Sequence, residues 1–420
     1  MCYTQSRFKA LISACVLSLI ATASWSQSLT WLGTLGGVRS EAHAVSADGR
    51  VVVGMSYNAA GQARAFRWTA SGGMQNLGTL GGLWSLAFDV SADGSVVVGW
   101  AENAAGQARA FRWTASGGMQ NLGTLGGDLS YAYGVSADGA VVVGGAGNAA
   151  RYSRAFRWTA SGGMQNLGTL GGNYSFAWDA SADGTVVVGR AENAAGQGRA
   201  FRWTASGGMQ DLGTLGGHES KAFDVSADGA VVVGWSLNAT GQRRAFRWTA
   251  SGGMQDLGTL GSNDNIAFAV SADGAVVVGV ALNAAGQGRA FRWTAAGGME
   301  DLNTTYASLL TNGSVLSEAS AISPDGRYIV GYGRNAATNR TEAFLLDTGF
   351  PLRGDVDRNG CVDDADLLQV LFAFGGRGYR NEDLNWDGTI DDADLLQVLF
   401  HFGSGCYPSP QPHSHEAGEG

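Results

Sequence analysis

Oxygen-bearing side chains crowd into two short stretches near the end of the chain. The pattern D-x-[DN]-x-[DN]-G-x-x-D-D-A-D-L-L-Q-V-L-F begins at Asp355 and again at Asp383. The first stretch offers Asp355, Asp357, Asn359, Asp363 and Asp366, with the carbonyl of Cys361. The second offers Asp383, Asn385, Asp387, Asp391 and Asp394, with the carbonyl of Thr389. These fall at positions 1, 3, 5, 7, 9 and 12 of a loop that wraps a hard divalent cation, and Gly360 and Gly388 take the sharp turn at position 6. A bound ion offsets the repulsion among carboxylates this dense. The expectation is two Ca2+ ions. A merely solvated acidic stretch would not place glycine at the turn twice.

Each loop must be held by the segment after it, an apolar helix predicted over residues 367–374 and 395–402 and stopped by Gly375 and Gly403. Pro351 to Gly354 reads as a linker, so no helix precedes the first loop. A loop with one helix, in duplicate, resembles a type I dockerin across residues 354–406. That resemblance implies docking onto a cohesin-like domain or a cell-surface protein. One departure bears on partner choice: where many dockerins carry Ser-Thr before the last ligand, this chain has Asp364-Ala365 and Asp392-Ala393.

Upstream, one 45-residue unit recurs: S-A-D-G starts at Ser46, Ser91, Ser136, Ser181, Ser226 and Ser271, and a diverged S-P-D-G starts at Ser323 after seven extra residues. A single unit of this size cannot bury its own apolar face, so the copies must stack. In the second copy, β-prone segments at 86–90, 95–100, 109–114 and 119–123 are separated by turn glycines. That reads as a four-stranded propeller blade. The segment L-G-T-L-G-G, read as the fourth strand, occurs at Leu32 ahead of any complete unit and is absent after Leu346. The expectation is a mainly β, seven-bladed propeller at 27–348, closed by the N-terminal strand. After it come a linker at 349–353, a small α-helical calcium-loop domain at 354–406 and a flexible tail at 407–420. An open β-solenoid, the alternative, would leave the first strand without a partner.

A-F-R-W, S-A-D-G, V-V-V-G and L-G-T-L-G-G together resemble the HAF repeats of exported bacterial proteins, a likeness that implies a surface or secreted β-rich protein and no particular chemistry. Among near-identical copies, variation marks one face: Trp84, Trp100, Tyr131, Tyr174, His218 and Trp235 fall in variable clusters after L-G-G and V-V-V-G. Aromatic platforms there suit a glycan or peptide; drift at exposed positions gives the same pattern. Arg67, Arg112, Arg157, Arg202, Arg247 and Arg292 repeat once per copy beside Trp68 and its equivalents, which reads as a structural ladder.

Arg7 and Lys9 precede an apolar run and a string of small residues, the pattern of a secretory signal over 1–26. Ile12-Ser13-Ala14-Cys15 only loosely matches a lipoprotein box. Removal of the signal leaves Cys361 and Cys406, candidates for a disulfide in an exported chain. A formal charge of −9 argues against nucleic acid, and no later segment is apolar enough to span a membrane. Nothing forms a catalytic constellation. The reading is a secreted or surface binding or scaffold protein, not an enzyme. The alternative is a carbohydrate-active component of a polysaccharide-degrading assembly, with Glu102 and Glu192 as paired carboxylates.

Overall fold

A computed structural model describes residues 27–406. The signal and tail expected at 1–26 and 407–420 lie outside the described residues.

Each repeat folds as a four-stranded antiparallel sheet. In the second copy its strands are Gly81–Val90, Val96–Asn103, Ala108–Thr114 and Gly118–Asn121, paired in that order. Six sheets of this kind succeed one another along the chain. Another sheet contains Val315–Ile322, Tyr328–Asn335 and Arg340–Asp347, and its outer strand comes from the opposite end of the chain. Ser28–Trp31 pairs antiparallel with Arg340–Asp347, Ser28 facing Asp347 and Trp31 facing Phe344. The architecture is that of a β-propeller. The pairing is made by Ser28–Trp31, just ahead of the L-G-T-L-G-G segment at Leu32 that was expected to make it.

The turns explain the strict S-A-D-G. Ser91 Oγ donates to Asp93 Oδ1 at 2.6 Å and accepts from Val96 N at 2.9 Å, while Asp93 Oδ1 also takes the Ser95 amide at 2.9 Å. Gly94 closes the turn at φ +72°, and a Cβ there would lie 2.6 Å from Val51 of the preceding sheet. Glycine is therefore required twice over, for its dihedral and for close approach.

Sheet packs on sheet. Ala44, Val51, Val53 and Ala65 of the first sheet share a core with Ala87, Val97, Phe111 and Trp113 of the second. A side chain staples the joint: Ser85 Oγ accepts from Ala65 N at 2.9 Å and donates to Gly78 O at 2.6 Å, and Asn265 does the same between Ala245 N and Gly258 O. The same staple joins the last sheet to the first, where Ser40 Oγ accepts from Ala343 N at 2.9 Å. Val45, Val52 and Phe66 there share a core with Tyr328, Val330 and Ala343.

Two expectations need correction. The outermost strand is G-M-Q-N, not L-G-T-L-G-G. The leucine segment connects sheets, because Gly78 adopts φ +82° and breaks the extended chain after Leu77. The inner strand begins at Gly81 rather than at 86, so the variable positions after L-G-G lie within a strand. The seven-residue insertion accommodates a short helix, Leu302–Thr305, capped by Asp301, and a 3-10 turn after it.

In the acidic module the helices are Asp364–Ala373 and Asp392–His401. They start earlier than the apolar pattern suggests because Asp363 and Asp391 form capping boxes with Asp366 and Asp394. Val356, Val362, Val370, Ile390 and Val398 make its small core, and Cys361 is joined to Cys406.

Candidate functional site

The two acidic loops gather their donors around deeply placed carboxylates. Asp366 is fully buried; its Oδ1 accepts from Val356 N at 2.7 Å and Asp357 N at 3.1 Å, and its Oδ2 from Asp363 N at 2.9 Å. Asp394 repeats this with the amides of Leu384, Asn385 and Asp391. At position 1, Asp355 Oδ2 accepts from Gly360 N at 2.9 Å and Asp383 Oδ2 from Gly388 N at 2.9 Å. Asp355 Oδ1 is buried with no hydrogen-bond partner. Burial, with Asp366 and Asp357 alongside, pushes the Asp355 carboxyl up to about 6. Burial, with Asp394 and Asp387 alongside, pushes Asp383 up to about 7.

An orphaned buried oxygen among crowded carboxylates fits a hard divalent cation. Asp355, Asp357 and Asp366 can each offer an oxygen within 4.8 Å of the others. Asn385 replaces Asp357 in the second loop, and among the described residues only the first loop converges three carboxylates in this way. Asn359 and Asp387 brace the turns, accepting from Cys361 N and Thr389 N, both at 2.8 Å. Asp363 and Asp391 cap the helices, taking the amides of Ala365 and Ala393 at 2.8 Å. Cys361 enters the disulfide through its sulfur.

On the variable face, the structure brings together only part of the predicted set. Trp100 and Tyr131, from adjacent sheets, meet edge to face at 5.7 Å. Tyr174 is exposed and contacts Tyr152 at 5.6 Å. Trp235 lies under Arg243, which pairs with Asp264 at 2.7 Å. Among the described residues, no ring contact links Trp84, Tyr174, His218 and Trp235 to one another. Glu102 and Glu192 each serve their own sheet, accepting from Leu83 N at 3.0 Å and Asn173 N at 3.2 Å. Five of the repeated arginines, Arg67 to Arg247, donate to the Asp-Gly turn carbonyl of the next sheet, as Arg202 does to Gly229 at 2.9 Å. They are structural, as the repetition implied.

Sequence reasoning missed the centre. A cavity of about 370 Å³ is lined by all the sheets. His43, Phe88, Tyr133, Trp178, Phe223 and Phe268 form an unbroken run of ring contacts around it, with centroids 4.2 to 5.5 Å apart. Lys221 sets its ammonium 3.5 Å from the Trp178 ring centroid, and burial pushes it down to about 7. Asp89, Asp179 and Asp224 also line the cavity. Asp89 links sheets by accepting from Val90 N at 2.7 Å and Val135 N at 2.8 Å, and burial pushes its carboxyl up to about 7. Burial pushes the Asp179 carboxyl well above its usual range, with Asp224 and Asp89 alongside, and burial raises Asp224 as well. The signal available in sequence was a ring residue three positions before the serine of each S-A-D-G, with Asp next to it in three copies.

No family model matches the chain, and no curated protein matches it. Among solved structures, a putative TolB from Agrobacterium tumefaciens is 17% identical over 52% of this chain and 80% of its own, with a TM-score of 0.42. TolB from Acinetobacter baumannii is 13% identical over 60% of this chain and 63% of its own, at 0.44. Kuenenia stuttgartiensis hydrazine synthase is 11% identical over 77% of this chain and 97% of its own, at 0.41. Likenesses this distant carry no functional argument, and the strand pairing itself carries the fold. Among the described residues no helix is long and apolar enough to cross a membrane.

Proposed function

We propose that this is an exported, non-catalytic binding protein in which a closed ring of seven blades presents a ligand face and a calcium-folded, dockerin-like module attaches the ring to a cohesin-like partner. The HAF-repeat resemblance, the two Ca2+ ions and the signal at 1–26 belong to this proposal. One observation carries it. Both module helices turn large apolar side chains outward at matching positions: Phe372 is 86% exposed and Phe400 80%, flanked by Leu368 and Leu371 and by Leu396 and Leu399. A small module that leaves such surface uncovered, twice and at the same positions, is built to be covered by a partner.

The test uses the full chain as bait in extracts of the source organism, with calcium and with EGTA. Calcium-dependent capture of a cohesin-like protein, lost in a Phe372→Asp, Phe400→Asp double variant that still folds, supports docking. No capture by a calcium-loaded chain sinks it. The aromatic pair Trp100–Tyr131 favours glycan binding on the ring as a second reading. Binding of a polysaccharide without turnover, weakened by Trp100→Ala, would support it. The hydrolase alternative has less to stand on, because Glu102 and Glu192 are each engaged by a backbone amide of their own sheet.

A further inference from the structure

We infer that the ring of S-[AP]-D-G turns is a socket for this chain's own acidic module, and that calcium in the second loop controls whether the socket is filled. The inference rests on the calcium reading proposed above.

The socket is made by the second residue of each turn. Ala47 N donates to Ala92 O, Ala92 N to Ala137 O, and so on through Ala182, Ala227 and Ala272 to Pro324 O, at 2.9 to 3.2 Å. Small side chains there leave an opening on the axis. Trp386 fills it. The indole is buried against Ala47 and Ala92, with Ala137, Ala227, Ala272 and Tyr379 packed around it. It also forms part of the wall of the central cavity. The Tyr379 ring stacks parallel to it at 6.4 Å.

Two further contacts fix the module off the axis. Arg353 Nη2 donates to Asp48 O at 2.8 Å and to Tyr328 Oη at 2.9 Å. Arg358 pairs with Asp273 in the turn of the sixth sheet.

Trp386 and Arg358 share a position: each is residue 4 of its acidic loop, between two donors. Both adopt the left-handed conformation, at φ +58° and +60°, which non-glycine residues avoid. The inward turn of the neighbouring donors, Asn385 and Asp387 around Trp386, throws the position-4 side chain outward. An ion that draws those donors inward therefore aims the indole at the socket. Without the ion, Asp383, Asp387 and Asp394 repel one another, and the strained turn rests on the amide bonds to Asp383 and Asp394 alone. Linkage makes the effect reciprocal: docking favours the ion-competent loop, so it must raise calcium affinity there by the factor that calcium strengthens docking.

The experiment follows calcium and the socket separately in the full chain. A chromophoric chelator gives stoichiometry and affinity, and hydrogen exchange reports on the turns at 46–51, 91–96 and 136–141. Two ions should bind, and EGTA should raise exchange in the turns while leaving the paired strands protected. Trp386→Ala should expose the turns even with calcium and lower one of the two affinities about 5-fold or more. Ala92→Leu fills the socket from the ring side without altering the module, and should do the same. Unchanged turn protection after the ions are shown to have left overturns the coupling. So do unchanged affinities in both variants. Absence of bound calcium would overturn the calcium reading as well, and the stoichiometry shows which has failed.

Discussion

The repeated sheets and the acidic module treat apolar surface in opposite ways. Every sheet covers its central phenylalanine with the preceding one, and Phe66, Phe111, Phe156, Phe201, Phe246, Phe291 and Phe344 are fully enclosed. The module encloses only a handful of small aliphatic side chains and presents its phenylalanines to solvent. Burial in the ring comes from copy number, since each copy supplies the half-core its neighbour lacks. A module this small has no such neighbour, and must rely on a covalent bridge, capped helices and a gathered set of oxygens.

Replacing one phenylalanine in each region tests that contrast most severely. Phe201→Ala should destabilise the ring by about 3–5 kcal/mol, whereas Phe400→Ala should stay within about 0.5 kcal/mol. Urea unfolding reads both, and equal losses would break the comparison. Removing the bridge with Cys361→Ser and Cys406→Ser should cost the module roughly 2–4 kcal/mol. Calorimetry should show the module's transition moving and the ring's staying; movement of the ring's transition would mean that the two regions unfold as one.

Within the ring, Gly94→Ala should cost about 1–3 kcal/mol through dihedral strain and the close approach to Val51. Gly106→Ala should cost less, because it shares the positive φ but has open space where the Cβ would go. Thermal midpoints of the two variants decide this, and equal shifts would leave strain as the whole explanation. A further test concerns pH. Burial holds the Asp89 carboxyl at about 7 in the fold, against about 4 in an unfolded chain. Between those values the folded state binds the extra proton, so stability should fall as pH rises through that window. Asp89→Asn should flatten the slope, and an unchanged profile would assign it elsewhere.

The period, the turns and the origin of the closing strand were legible because each rests on local chemistry that recurs. Asp-Gly has few conformations open to it, and the extra L-G-T-L-G-G before the first unit pointed to the N-terminal end of the ring, although the strand that pairs is Ser28–Trp31 just ahead of it. Strand boundaries were less legible. Leu77 and Leu80 imitate an extended apolar pattern, but Gly78 breaks it, and the real outer strand is short and polar. The aromatic girdle escaped notice because residues such as Phe88 and Phe111 look alike in a strand pattern, though one lines the cavity and the other lies between sheets. A register shift between Ala87 and Asp89 turns the next residue toward the cavity too, which alternation cannot foresee. Trp386 was passed over because position 4 donates no oxygen. In a loop of this pattern, the residues between the oxygen-bearing positions are the ones free to face outward.

The pairing of Ser28–Trp31 with Arg340–Asp347 has a mechanical consequence. Ser28 faces Asp347, so both ends of the paired segments leave the sheet at the same edge. A pull between a tether ahead of Ser28 and a partner held beyond Asp347 loads one register pair at a time, as in opening a zipper, instead of shearing all of them together. Heat and denaturant must overcome the shared packing of every sheet, while tension along the chain meets only the pair nearest the edge.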